Sequence, residues 1–130
     1  MKEITEYLKE ARTFYLATEN GDQPEIRPIG VLQEYDGVLY TAVGKHKNVY
    51  KQIQANPKIC IVAVNNGSWV RVRAKAVDAP QEIVDKVFAD NPFLRTLYNE
   101  ENGLTLGVLA LTEGEVEFCS MAGPVRTEAL

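Results

Sequence analysis

The chain has 130 residues, is 45% hydrophobic and carries a formal net charge of -4. That suits a single domain spanning residues 1–130 and offers no global field to draw nucleic acid or an anionic membrane, so any anion site must be local. No run approaches the roughly 20 apolar residues of a bilayer span, and the charged opening MKEITEYLKE lacks the apolar stretch of a secretion signal, so a soluble, cytoplasmic protein is expected.

From the N-terminus, Ile4, Tyr7, Leu8 and Ala11 recur at helical spacing and predict an amphipathic helix over 2–11. TFYLAT reads as a strand closing on ENGD, where Asn20-Gly21 would supply the positive backbone angles of a tight hairpin. A second strand over 25–35 ends at Asp36-Gly37, and VLYTAV returns beside it. Val49 and Ile53 lie one helical turn apart, and Asn56-Pro57 ends that helix because the residue before proline avoids the helical region. KICIVAV reads as a buried strand. After the NNG turn, Val70, Val72, Ala74 and Ala76 alternate with Arg71, Arg73 and Lys75, giving one core face and one wet face. Ile83, Val84, Val87 and Phe88 mark a helix after Pro80, and a short segment follows over 93–98. TLGVLAL and EVEFCS are expected to form a last hairpin around Glu113-Gly114. Cys60 and Cys119 form neither a disulfide framework nor a C-x-x-C pair and read as reduced thiols.

Six or seven short strands with few helices argue for a small, closed or nearly closed antiparallel barrel. Its interior is filled by its own side chains, so a flat ligand must lie outside it, in a groove against another surface.

Several chemistries find no support. His46 is the one histidine and no G-x-S-x-G occurs, which leaves a serine hydrolase little to stand on. One histidine and two distant cysteines make a poor zinc site. Gly44-Lys45 fails the P-loop pattern, because Leu39 stands where glycine is needed and His46 where Ser or Thr is needed. No G-x-G-x-x-G is present. What remains is a simpler anion site at the strand-to-helix turn, where Gly44 frees backbone, a helix N-terminus adds its dipole, and Lys45, His46 and Lys47 add charge. Thr41 offers a hydroxyl nearby. A solvated lysine-rich turn is the plain alternative.

The stretch PEIRPIGV adds a second element. Pro28 cannot donate to a ladder and so marks a sheet edge or a bulge, Gly30 keeps the surface low, and Arg27 can offer phosphate a bidentate fork. An exposed strand arginine is the competing reading.

EIRPIGVL, GVLYTAVGKHKNVYKQIQANPKICIV and WVRVRAKA, in that order and spacing, resemble the motifs of the pyridoxamine 5′-phosphate oxidase-like flavoproteins, the FMN-binding split barrels. The resemblance covers roughly 13–77, with a weaker match beyond, and is closest to the small nitroimidazole-resistance (Nim-type) members. It implies a mainly β fold, a six-stranded antiparallel split barrel with a few short helices. It also implies a homodimer with FMN at the subunit interface. Carried over by position, Arg27 resembles the phosphate-binding arginine, and Pro28, Ile29 and Gly30 the segment along the flavin ring. Tyr40, Thr41 and Ala42 match the strand end beside the flavin, His46 and Lys47 the basic pair at the phosphate, and Trp69 a residue reaching the flavin from the partner subunit.

The chain ends at MAGPVRTEAL without the basic C-terminal extension of the larger family members, which argues against pyridoxamine phosphate as substrate. No residue stands out as a proton donor. The chemistry implied is the cofactor's own hydride and electron transfer, with transient NADH or NADPH and a small, nitro-aromatic or similar, substrate. The competing readings are the same barrel holding F420 or haem, and a flavin-binding sensor or carrier without turnover. A nucleic-acid-binding barrel, suggested by Arg71, Arg73 and Lys75, lacks the interleaved aromatics such surfaces use.

Overall fold

The computed structural model describes residues 2–11 and 13–130. Its elements run α1 (Lys2–Glu10), β1 (Phe14–Asn20), β2 (Gln23–Ile29), β3 (Leu32–Tyr35), β4 (Val38–Gly44), α2 (Asn48–Ala55), β5 (Lys58–Asn65), β6 (Ser68–Asp78), α3 (Gln81–Asp90), α4 (Leu94–Leu97), β7 (Leu106–Ser120) and β8 (Gly123–Ala129). The strands form one antiparallel sheet in the order β2-β1-β5-β6-β7-β4-β3, with β8 added beside β7. β2 and β3 stand at opposite ends of that order, yet only Gly30 and Val31 separate them in the chain. Two residues cannot span a flat sheet of seven strands, so the sheet curls on itself and brings its two unpaired ends together as a split barrel.

Period-2 alternation decides what fills the barrel. Leu16 in β1, Leu39 in β4, Ile61 in β5, Val70 and Val72 in β6 and Leu109 in β7 are almost completely buried in one core cluster. Ile4 and Leu8 of α1 and Val49 and Ile53 of α2 complete it. Each such side chain contributes about 1.5–3 kcal/mol when fully buried. The opposite side of β4 and β7 carries a second cluster, in which Tyr40, Ala42, Leu106 and Val108 pack under Ile83 and Val87 of α3 and Leu94 of α4.

The expected helices lie where the periodicity placed them, and α2 ends at Ala55 with Asn56 extended before Pro57. The barrel has eight strands, not six. The strand expected over 25–35 is two, because Val31 turns into the second cluster, 4% exposed, and breaks the alternation at Gly30-Val31. The expected hairpin at Glu113-Gly114 is absent. β7 runs unbroken for 15 residues, and Glu113, with a φ of 49°, sits in a bulge opposite Arg73 and Lys75. Glu-Gly has the composition of a turn, but here glycine serves close approach: a Cβ on Gly114 would lie 1.8 Å from the Arg73 carbonyl oxygen. β8 went unread because its exposed residues show no apolar alternation. The hairpin after β1 is also made differently, since Gly21 alone takes positive φ and Asn20 stays in the strand.

Candidate functional site

β2 is a terminal strand of the sheet, as Pro28 requires. Pro24 and Pro28 are four residues apart, so both turn their missing donors the same way, off the ladder with β1. Pro28 and Gly30 are exposed and Ile29 is half-buried. Nothing lies within 4 Å of a Cβ built on Gly30, which borders a cleft of about 370 Å³ lined by Leu8, Phe14, Leu32 and Tyr35.

Arg27 pairs in register with Leu16 and therefore points to the inner side of the sheet, toward α2. Its Nη1 donates to Thr18 Oγ1 at 2.7 Å and to the Leu16 carbonyl at 3.2 Å, and its Nη2 donates to Gln52 Oε1 at 3.1 Å. Glu25 Oε2 lies 3.7 Å from Nη2. Burial pulls the guanidinium below its ordinary value and Glu25 pulls it back. Glu25 is held below the usual carboxylate range by hydrogen bonds from Asn20 and then Gln52, with the charge of Arg27 adding to them.

Gln52 is the fifth residue of α2, so Arg27 meets the helix roughly 7 Å along its axis from the N-cap, Lys47. That N-cap carries no side-chain hydrogen bond, and among the described residues no acceptor meets the amides of Asn48 and Val49. The turn before it is tight, with the Lys47 amide on the Gly44 carbonyl at 3.0 Å and the Lys45 amide on Thr105 at 2.9 Å. Lys45, His46 and Lys47 are exposed. The His46 ring covers Gly44, where a Cβ would stand 2.7 Å from Cε1, and faces Tyr98 at 6.2 Å between ring centroids.

The β4 residues sit differently from one another. Tyr40 and Ala42 are buried under α3, while Thr41 points into the barrel, fully buried, and donates to the Val31 carbonyl at 2.7 Å. Its hydroxyl is therefore engaged within the fold. β3 stops at Leu32, opposite Thr41, so from Ala42 onward the β4 backbone has a ladder partner only in β7. Trp69 is half-buried on the outer face of β6 between Val64 and Cys119.

The structure thus brings Arg27 to the helix that Lys47 opens, and keeps Trp69 on the outer face of the sheet. Two contributors escaped the sequence reading, Thr18 and Gln52. Their signal was present: each is a polar residue at an inward-facing position, after Phe14 and Leu16 in one case and beside Val49 and Ile53 in the other.

The basic stripe on β6 is answered residue by residue from β7. Arg71 pairs with Glu117, Arg73 with Glu115 at 3.3 Å and Lys75 with Glu113 at 3.6 Å. Glu117 lies below the usual carboxylate range, first through the Cys119 thiol and then through Arg71 and Arg73. Both cysteines are free thiols, each pushed up chiefly by burial. Among the described residues no group of three His, Cys, Asp or Glu is placed to hold a metal ion, and no helix is long and apolar enough to cross a membrane.

The sequence profile described as pyridoxamine 5′-phosphate oxidase matches residues 1–104. The chain belongs to the pyridoxamine 5′-phosphate oxidase family. Members of this family generally bind flavin, act in redox chemistry and are typically dimeric. A NimC/NimA family protein from Clostridium acetobutylicum is 36% identical, with 100% of this chain and 93% of that one covered, at a TM-score of 0.87. General Stress Protein 26 from Bacillus anthracis is 17% identical over 99% of this chain and 97% of its own, at a TM-score of 0.76. A heme binding protein from Mycobacterium smegmatis is 14% identical over 94% of this chain and 53% of its own, at a TM-score of 0.70. These last two show a likeness of fold alone. No curated protein sequence matches the chain.

Proposed function

We propose that this chain binds FMN between two copies of itself and acts as an oxidoreductase on a small molecule such as a nitro-aromatic. The observation that carries it is the placement of Arg27 against α2, a helix whose uncapped N-terminus is flanked by Lys45, His46 and Lys47. Amides without acceptors, a helix dipole, the Arg27 guanidinium and the neighbouring lysines suit a phosphate dianion. Arg27 supplies a planar donor edge, Lys47 a point charge, and the amides of Asn48 and Val49 direction. The exposed backbone from Pro28 to Gly30, low at Gly30, suits a flat ring lying along the edge of the sheet.

A ring on the outside of a filled barrel needs a second wall. The outer sheet face carries exposed Tyr15, Ile26 and Val64, and register puts Tyr15 with Pro28 and Val62, and Val64 with Trp69, on one side. A second copy laid on that face would bury these residues and bring its own Trp69 toward the ring. FMN, when bound, supplies hydride and electron transfer. This chain's residues bind the phosphate, orient the ring and exclude water.

Purification followed by an absorption spectrum and FMN titration tests the reading. A flavin spectrum and saturable FMN binding are expected, with a mass in solution about twice that of the chain. A haem or F420 spectrum, or a strictly monomeric protein that holds FMN tightly, would overturn it.

A further inference from the structure

Thr18 and Gln52 present a puzzle of placement. Both are buried, at 3% and 9% exposure, in positions where the pattern of β1 and of α2 calls for apolar residues. A buried hydroxyl or amide is costly unless paired. Thr18 Oγ1 donates to Gln52 Oε1 at 2.6 Å, and both oxygens accept from Arg27: Thr18 Oγ1 from Nη1 at 2.7 Å and Gln52 Oε1 from Nη2 at 3.1 Å. The three side chains close a ring of hydrogen bonds across β1, β2 and α2. Gln52 Nε2 then reaches Glu25 Oε2 at 3.4 Å, which fixes the amide with its oxygen toward Arg27.

This ring sets the plane of the guanidinium and decides which donors are left. Nη1 is committed to Thr18 and the Leu16 carbonyl, and one hydrogen of Nη2 to Gln52. The remaining donors are Nε–H and the second hydrogen of Nη2, the parallel pair that forms a bidentate fork. Among the described residues no acceptor meets Nε, and Glu25 stands 3.7 Å from Nη2, beyond hydrogen-bond distance.

We propose that Gln52 and Thr18 are positioning residues which, through this ring, hold the Nε–Nη2 edge of Arg27 outward for the phosphate of the flavin, and so make the chain discriminate FMN from riboflavin. The inference rests on the phosphate assignment given above. A shape-conserving apolar replacement removes the ring while leaving volume nearly unchanged, so the guanidinium loses its fixed plane and the fork is no longer presented. Neither Gln52 nor Thr18 touches the ligand, and a flavin without phosphate does not sense their loss.

The experiment measures Kd for FMN and for riboflavin by flavin fluorescence in the wild type, Gln52→Met, Thr18→Val, Thr18→Ser, Arg27→Ala and the double variant Arg27→Ala with Gln52→Met. In the wild type, FMN should bind more tightly than riboflavin. Gln52→Met and Thr18→Val should each weaken FMN about tenfold and leave riboflavin unchanged, while Thr18→Ser, which keeps the hydroxyl, retains the wild-type ratio. Once Arg27 is alanine, Gln52→Met should change FMN affinity no further, because Gln52 acts through Arg27. Equal weakening of both flavins, or a Gln52→Met effect that persists without Arg27, would assign these residues to general packing and overturn the positioning role. A wild type that does not discriminate the two flavins would remove the phosphate assignment itself, an outcome visible before any variant is made.

Discussion

The hydroxyl of Thr41 donates to the carbonyl of Val31 over 2.7 Å inside the barrel, bridging β4 to the two-residue corner where β2 becomes β3. Replacing Thr41 with valine keeps the shape and leaves that buried carbonyl without the hydroxyl. Thr41→Val should therefore lower stability by about 1–3 kcal/mol. Urea unfolding checks this, and FMN affinity measured where the variant is fully folded should stay within about twofold of wild type, as expected of a hydroxyl that does not reach the phosphate.

Gly114 is held by contact with a neighbouring strand. A methyl group there would stand 1.8 Å from the Arg73 carbonyl oxygen and 2.7 Å from its carbonyl carbon, both backbone atoms. Relief would require β6 and β7 to separate where the bulge locks their register. Gly114→Ala should lower stability by about 3 kcal/mol or more, read as a lowered unfolding midpoint. A variant as stable as wild type would show that the bulge relaxes freely.

These two positions show which features the sequence made legible. Local rules worked where one signal dominated: proline at 57 stops α2, Asp36-Gly37 and Asn66-Gly67 take the positive angles of tight turns, and the alternation in β6 separates Val70 and Val72 from Arg71 and Arg73. They failed where a residue answers to a partner distant in sequence. Gly114 answers to Arg73, Val31 to Thr41, and Thr18 to Gln52, 34 residues away. The basic turn and the Arg27 strand were visible as motifs, but the cradle around Arg27 exists only once β1, β2 and α2 are assembled.

Acid should act on two carboxylates. Glu25 and Glu117 both lie below the ordinary glutamate value of 4.5 when the chain is folded. A lowered folded pKa means that the unfolded chain binds protons first as pH falls. The stabilisation is complete above about pH 4.5 and is lost as pH drops through the lower folded values. Glu117→Gln should flatten the fall of stability with pH in that window, measured by thermal unfolding at a series of pH values. An unchanged slope would mean that the Cys119 and Arg71 contacts do not hold the charge.

For the phosphate site, Arg27→Ala and Lys47→Ala should each weaken FMN binding roughly tenfold to a hundredfold, the loss of one charged hydrogen bond of about 1.5–3 kcal/mol. Lys47 is exposed, so its replacement should leave the unfolding midpoint in place. Fluorescence titration alongside thermal unfolding separates binding from folding. Wild-type affinity in both variants would remove the two cations from the site.

The reaction itself can be tested from what the chain offers a hydride donor. The sequence holds no G-x-G-x-x-G site for a nicotinamide cofactor. A donor would then meet the exposed face of the ring in a weak, short-lived complex. NADH or NADPH should reduce protein-bound FMN at an observed rate that keeps rising with donor concentration, and a small nitro-aromatic acceptor should reoxidise it. Lys47→Ala loaded with saturating FMN should keep most of that rate, because Lys47 is assigned to the phosphate and its loss acts on binding before chemistry. Anaerobic stopped-flow absorption at the flavin band measures both. If neither nicotinamide reduces the flavin while a chemical reductant does, the electrons must come from another protein or the chain carries flavin without turning it over. A Lys47→Ala rate that collapses even at saturation would place Lys47 at the reacting end of the ring.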